Sequence, residues 1–216
     1  MKRVIFTAVA ILICCALSLQ AEEPWKLAKE GEGIKVYTRS VPGSASNEFK
    51  GIAEINAPID VIMEVFKDIP SYPEWYGFCK EIRLLKEVNE DHRVIYFVLK
   101  TMGPVQDRDM VIDAVSKFDK KAGKATIETN ALKEPIVPLQ EKYVRMTDVK
   151  GVFSMSATSP DKTNVVYIAK ADPAGYIPTF VSNILQKDQP FLTLKGLREM
   201  IKKDVYYKKA GIARKN

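Results

Sequence analysis

The sequence predicts an α+β domain in which one curved antiparallel sheet is covered by a long C-terminal helix. Short β-type segments follow one another through the middle of the chain, with turn-length connections and no helix between them. The predicted helices lie before and after these strands, which favours α+β over an alternating α/β architecture. One face of such a sheet must be covered, and the last third of the chain carries the longest apolar-faced helix.

The first residues predict a secretory signal peptide over residues 1–21. Lys2 and Arg3 precede an apolar run at residues 4–19, and Ala21 offers a small side chain for cleavage. The run is shorter than the ~20 apolar residues that a spanning helix needs. Cleavage is therefore expected, with a retained anchor as the alternative, and the protein is expected to be periplasmic or secreted.

Cleavage after Ala21 leaves 195 of the 216 residues and lowers the formal net charge from +6 to +4. No internal repeat or linker divides the remainder, so we expect one monomeric domain at residues 22–205 and a basic tail at residues 206–216. Cys79 is the one cysteine left, and no internal disulfide is expected. The tail favours contact with an anionic lipid surface, or is merely solvated. Nucleic-acid binding is not expected, because no aromatic-basic motif is present.

The N-terminal part of the mature chain predicts a short helix, two strands and an amphipathic helix. Alternating apolar and polar side chains indicate the strands, and apolar side chains at helical spacing indicate the second helix, which has Pro58 in its first turn. The expected elements are the helix at 25–28, the strand at 34–40, a turn at 42–44, the strand at 49–55, the helix at 59–66 and a proline-containing break at 69–73.

The middle of the chain predicts an antiparallel meander. Turn residues separate its apolar segments, with a clear turn at 159–161. The expected strands lie at 81–88, 93–100, 110–118, 125–131, 143–147, 151–158 and 165–169.

The C-terminal helix is expected to begin near Pro178, because proline suits the first turn of a helix. An apolar stripe follows, and Pro190 interrupts it. Proline removes one backbone hydrogen bond, so the sequence predicts either one kinked helix or two short ones. The part before Pro190 is the better candidate for ligand contact, and the part after it for sealing the sheet.

Three motifs in order resemble the START (steroidogenic acute regulatory protein-related lipid-transfer) domain. They are Tyr-Pro-Glu-Trp at 72–75, Pro-Val-Gln-Asp-Arg-Asp-Met-Val at 104–111 and Asp-Pro-Ala-Gly-Tyr-Ile-Pro at 172–178. The resemblance covers about residues 25–203. It implies a helix-grip fold of the wider Bet v 1-like superfamily, in which a curved sheet wraps a long helix around an internal hydrophobic cavity. The signal peptide suggests a bacterial, exported member.

The resemblance implies binding, and transfer or sensing, of a single lipid or sterol-like molecule, with transient contact to a membrane surface. The alternative is a cyclase- or aromatase-type enzyme using the same cavity, and a third possibility is an interaction module with no cavity. We expect no catalytic residue, metal or cofactor. The lone His92 lies in a polar hairpin without an evident partner, and no metal-binding or nucleotide-binding motif occurs.

Arg108 is the charged residue most open to two interpretations. It lies between Asp107 and Asp109, where a strand enters the apolar sheet. A buried arginine normally needs a carboxylate partner, so an ion pair that fixes the strand is one interpretation. The other is contact with a polar head group, because apolar pockets usually contain a few polar anchors.

The remaining candidate ligand-binding residues are aromatic or aliphatic. Trp75, in a proline-bounded loop, is either core or at the cavity mouth. Tyr96 brings a hydroxyl that could orient a ligand, although packing explains it equally well. Phe180, Ile184 and Leu185 lie on the apolar stripe of the C-terminal helix and line a ligand site only if a cavity exists.

Overall fold

Residues 23–42, 47–134 and 136–214 are described by a computed structural model. The predicted signal peptide and most of the turn at 42–44 lie outside these ranges. Within them the elements, in chain order, are β1 (Lys26–Gly31), β2 (Ile34–Arg39), β3 (Glu48–Ile55), α1 (Ile59–Lys67), a 3₁₀ turn (Ile69–Ser71), α2 (Tyr72–Trp75), β4 (Cys79–Asn89), β5 (His92–Leu99), β6 (Asp107–Asp119), β7 (Lys124–Ala131), β8 (Tyr143–Arg145), β9 (Val149–Ser159), β10 (Lys162–Ala171), α3 (Thr179–Met200) and α4 (Asp204–Ala210).

The strands form one curved sheet in the order β1-β2-β3-β10-β9-β7-β6-β5-β4, and all neighbours on this path are antiparallel. The segment from α1 to α2 connects β3, in the middle of the sheet, to β4 at its edge. The α+β helix-grip fold predicted from the sequence is confirmed. One detail is corrected: β8 pairs with the start of β6 in parallel, so it is not part of the antiparallel meander.

The predicted helix at 25–28 is wrong, because this segment is part of β1. Gly31 pairs with Ile34 across a two-residue turn, and both turn residues, Glu32 and Gly33, have positive φ angles of 53° and 69°. Two consecutive positive φ angles define the type I′ turn that suits a tight hairpin. Gly33 is therefore a residue of the β1–β2 hairpin turn.

The C-terminal helix α3 is continuous, with Pro190 inside it. From Gln189 onward, the helix packs very closely on the rest of the protein. A Cβ added to Gly196 would lie 2.2 Å from the backbone oxygen of Trp75, and a Cβ added to Gly77 would lie 2.4 Å from the backbone oxygen of Gln189. Glycines thus allow α3 to touch the backbone around α2. Within the described ranges, no helix is both long and apolar enough to cross a membrane.

A short helix, α4, follows α3 and packs on α1. It includes the first residues of the segment predicted to be a basic tail. Tyr206 and Tyr207 are buried, and the Tyr206 hydroxyl donates a hydrogen bond of 2.9 Å to Oδ2 of Asp68. The packed part of the chain therefore continues beyond residue 205.

Candidate functional site

An internal cavity of about 160 Å³ lies between the inner face of the sheet and the first half of α3. Its walls come from strands across most of the sheet, from α1, from the segment around α2 and from the loop before α3. The α3 residues that line it are Ser182, Leu185, Gln186 and Gln189. All four precede Pro190, whereas the largest buried side chains of α3 follow it. The sequence placed its candidate ligand contacts in this same part of α3, and contact with a ligand stays a prediction.

Aromatic rings form much of the cavity wall. Phe153 and Tyr167 stack with ring centroids 3.9 Å apart, and Tyr76 packs edge-on against Phe97 at 5.2 Å. These rings come from β9, β10, β5 and the residue after α2, so packing between separate elements fixes them. The hydroxyls of Tyr76 and Tyr167 are 2.5 Å apart and form one hydrogen bond.

Arg108 lies at one end of the cavity and is 1% exposed. Its Nε donates to the Pro173 oxygen at 3.0 Å, and its Nη2 donates to the oxygens of Ala174 and Tyr176 at 3.1 and 3.3 Å. Nη1 donates to the Gln106 oxygen. Burial lowers the pKa of the guanidinium. The side chain therefore attaches the loop in front of α3 to strand β6.

The ion pair proposed for Arg108 is formed by its neighbours instead. Asp107 pairs with Lys80 at 2.6 Å, and Asp109 pairs with Arg145 at 2.8 Å, whereas Arg108 has no carboxylate partner in the described part of the chain. Backbone carbonyls accept the hydrogen bonds of the Arg108 guanidinium instead. They can do so because Ala174 and Gly175 have positive φ angles of 50° and 58°, which turn the loop around the guanidinium. The second interpretation, a head-group contact, stays a prediction.

Tyr96 does not reach the cavity. Its hydroxyl donates to Oδ2 of Asp109 at 2.9 Å and accepts from Nε2 of Gln140 at 3.1 Å. It lies on the outer face of the sheet, under the loop that follows β7, in a small separate core. Burial and Asp109 raise its pKa. The expected ligand contact at Tyr96 is corrected, since successive strand residues face opposite sides and the cavity side belongs to Phe97.

Trp75 belongs to the hydrophobic core and does not lie at the mouth of the cavity, which were the two interpretations from the sequence. It lies in the short helix α2 and not in a loop, is 3% exposed, and packs edge-on against Phe66 with ring centroids 5.2 Å apart. It is not among the lining residues, whereas its neighbour Phe66 lines the cavity.

The three residues predicted on the first half of α3 differ in position. Leu185 lines the cavity. Phe180 is 62% exposed and points away, and Ile184 is half-buried outside the lining. The expected ligand contacts at Phe180 and Ile184 are therefore corrected. Only a narrow face of α3 borders the cavity, so the apolar residues of this half-helix cannot all lie on it. Ligand contact at Leu185 stays a prediction.

Apart from Arg108, the polar residues of the cavity were not predicted from the sequence. Tyr76 and Tyr167 line it beside Gln189, which is 6% exposed. Alternation along β10 places Tyr167 on the same face as Val165 and Ala169, so its position was predictable in principle. No signal indicates Gln189, because a glutamine in a helix usually faces solvent.

A curved antiparallel sheet that grips a long helix around an apolar cavity defines a class of small-molecule-binding, helix-grip proteins. A family model of the START domain matches residues 13–205. The chain belongs to the START domain family.

Individual relatives agree with this assignment. Uncharacterized protein PA1579 of Pseudomonas aeruginosa is 31% identical over 182 residues, which are 84% of this chain and 88% of that protein. A crystal structure of the STAR-related lipid transfer protein from Xanthomonas axonopodis has a TM-score of 0.74 and 31% identity, and the match covers 83% of this chain and 99% of that chain. START domain-containing protein 10 of Mus musculus is 23% identical over 87% of this chain, which spans 64% of that protein.

Proposed function

We propose that the protein is a non-enzymatic carrier that takes one lipid from a membrane, encloses it between the sheet and α3, and releases it when the first half of α3 moves. The observation that carries this proposal is the apolar cavity under that half-helix. The similarity to the Xanthomonas axonopodis protein, a STAR-related lipid transfer protein at 31% identity, supports the same function.

The cavity lining favours a carrier over an enzyme. Among the described residues, Arg108 is the charged residue in the lining, and backbone carbonyls occupy four of its five N–H donors. The described part of the lining includes no carboxylate or histidine. His92, for which the sequence showed no partner, bonds Asp113 at 2.6 Å, away from the lining. General acid–base catalysis needs a titratable group within hydrogen-bond reach of the substrate, and the described lining offers none with a pKa near neutrality.

The size of the cavity requires movement before a lipid can enter. Its volume of about 160 Å³ is close to the ~150 Å³ of an engineered cavity that binds benzene. Pockets for larger ligands usually measure ~300–1,000 Å³. Since close packing at Gly77 and Gly196 fixes α3 from Gln189 onward against the segment around α2, the part of the helix before Gln189 is the part that can move outward.

The surface around the loop before α3 is suited to membrane contact. Tyr176 is 86% exposed and Phe180 is 62% exposed, and Leu139 in the loop after β7 is 73% exposed. Gly175 lies against Val144 of β8, and Gln106 bonds the backbone of Glu141, so these loops meet at one end of the sheet. Aromatic side chains are favoured at lipid–water interfaces.

Export of the protein is a further part of the proposal, and it rests on the sequence of residues 1–21. Cell fractionation combined with N-terminal sequencing of the mature protein tests it. A mature chain that begins at Glu22 in the soluble exported fraction supports export, and an uncleaved chain in the cytosol contradicts it.

Native mass spectrometry tests the binding function. Delipidated protein incubated with a membrane lipid extract should gain about one lipid per chain, because the cavity accommodates a single ligand. Ser182→Trp places a large side chain in the cavity and should abolish uptake. Asn183→Trp is the matched control, since residue 183 is exposed on the same helix. If wild-type protein stays lipid-free, or if both variants bind like wild type, the proposal fails.

A further inference from the structure

The side-chain amide of Gln189 has an orientation that its neighbours determine. Thr193 Oγ1 has one hydrogen, which it donates to the Gln189 backbone oxygen at 2.8 Å. It accepts from the Gly77 backbone N–H at 2.9 Å and from Gln189 Nε2 at 3.1 Å. Because its single hydrogen is already used, only the nitrogen end of the amide can face it. The oxygen end, Oε1, must therefore point elsewhere.

Gln189 Oε1 is buried and has no hydrogen-bond donor among the described residues. Buried carbonyl oxygens are nearly always paired, and leaving one unpaired destabilises the protein. Gln189 lines the cavity, so a molecule in the cavity can reach this oxygen. The matched residue one turn earlier, Gln186, also lines the cavity, but its Oε1 accepts from Asn47 and its Nε2 donates to Ser182, both at 3.1 Å.

An unused donor lines the same cavity as this acceptor. The hydroxyls of Tyr76 and Tyr167 bond each other and donate no other side-chain hydrogen bond in the described ranges. Two hydroxyls have two hydrogens, and one of these is used between them, so the other is free whichever ring donates. Burial raises the pKa of Tyr167 to about 12 and that of Tyr76 well above its usual value, so both rings keep their protons. A side-chain hydrogen bond with Gln189 lowers the pKa of Tyr167 against the larger effect of burial, so the two side chains are neighbours.

We propose that Gln189, Tyr76 and Tyr167 form a subsite for a neutral hydroxyl group of the bound lipid. The ligand hydroxyl donates to Gln189 Oε1 and accepts the free hydrogen of the tyrosine pair. This inference rests on the proposed lipid-binding function and adds a chemical class to it: lipids that end in an alcohol.

Other polar groups fit the subsite less well. An ether or ester oxygen accepts only, so Oε1 would stay unpaired. A carboxylate would place its charge against the Oε1 lone pairs. An ammonium group would be a buried cation without a counterion, in a cavity that already contains the Arg108 guanidinium. Only a group that both donates and accepts a hydrogen bond satisfies Gln189 Oε1 and the free tyrosine hydroxyl together.

The test uses two isomers, 1-octanol and 1-methoxyheptane, which have the same atoms but differ in the O–H donor. Isothermal titration calorimetry of delipidated full-length mature protein gives the ratio of their dissociation constants. Gln189→Met should shift this ratio by about tenfold against the alcohol, as expected for the loss of one hydrogen bond at ~1.4 kcal/mol. Replacing both tyrosines, Tyr76→Phe with Tyr167→Phe, should shift it in the same direction, because either single change would leave one hydroxyl with a free hydrogen. Asn183→Met, at an exposed position outside the lining, is the control and should leave the ratio unchanged.

The possible outcomes separate the two hypotheses. If both isomers bind and the ratio is the same in wild type, in Gln189→Met and in the double tyrosine variant, the subsite is refuted and the lipid-binding function stands. An ordered water that already satisfies Oε1 would give this result. If neither isomer binds wild type, the lipid-binding function itself is refuted. Thermal unfolding of each variant establishes that it is folded, and the double tyrosine variant gives an independent answer if Gln189→Met unfolds.

Discussion

Arg108→Lys tests whether a single buried side chain holds the loop before α3. The guanidinium donates to four backbone carbonyls, three of them between residues 173 and 176. A lysine ammonium is a compact donor that cannot span these positions, so at least two bonds are lost. Hydrogen bonds from charged groups contribute about 1.5–3 kcal/mol each. We expect the free energy of unfolding to fall by about 3 kcal/mol, the lower end for two bonds, because water replaces part of the contacts of this half-exposed loop.

The assay combines thermal unfolding with hydrogen exchange. At ~3 °C per kcal/mol for a domain of this size, Tm should fall by about 9 °C. Amides of residues 173–180 should exchange faster, and lipid transfer between vesicles should accelerate. Arg83→Lys is the control, because Arg83 is half-exposed and pairs with Glu81 at the surface, where such pairs contribute under about 1 kcal/mol. If Arg108→Lys changes Tm no more than this control and leaves exchange in the loop unaltered, Arg108 does not hold the loop.

Three further predictions concern other parts of the fold. Gly196→Ala should lower the free energy of unfolding by about 2 kcal/mol in urea titrations, because its Cβ would overlap the Trp75 oxygen; an unchanged midpoint would contradict the close packing. Phe180→Ser should weaken co-sedimentation with anionic vesicles while stability stays within about 0.5 kcal/mol, because this side chain is exposed; unchanged sedimentation would remove it from the membrane surface. Burial raises the pKa of Cys79 from 9.0 to about 12 and that of Tyr167 from 10.0 to about 12. The stability that the folded protein gains by keeping these two groups protonated is therefore complete below pH 9 and is lost as the pH rises to 12. Urea titrations should give a lower free energy of unfolding at pH 11 than at pH 8.

The strands were predictable where the alternation of side chains was regular, and not elsewhere. β3 and β10 alternate cleanly between the two faces and were found within a few residues of their ends. β1 was missed because its pairing shifts register between Leu27 and Lys29, which breaks the two-residue period. α4 was missed because its lysines indicate a solvated tail, whereas Tyr206 and Tyr207 of the same helix are buried.

The candidate site was predictable as a location but not as a set of side chains. The proline in α3 indicated which half would face a ligand, and the lining follows that division. Alternation showed that Tyr96 and Phe97 face opposite sides of β5, but not which side is inward. That choice depends on the loop after β7, which covers the outer face and buries Tyr96 there. A contact between segments so distant along the chain leaves no periodic signal.

The two ends of α3 are held by different kinds of interaction, and this difference explains which end can move. Arg108 and Asp109 are neighbours on β6 and face opposite sides of the sheet. Arg108 attaches the loop before α3 on the inside, and Asp109 attaches the loop after β7 on the outside through Arg145. The second half of α3 is instead held by close packing at Gly196. Breaking a few directional hydrogen bonds opens the first end without disturbing the core, whereas opening the second would separate packed backbones. Local opening follows the route of least buried apolar contact, so lipid exchange should proceed through the end that Arg108 secures.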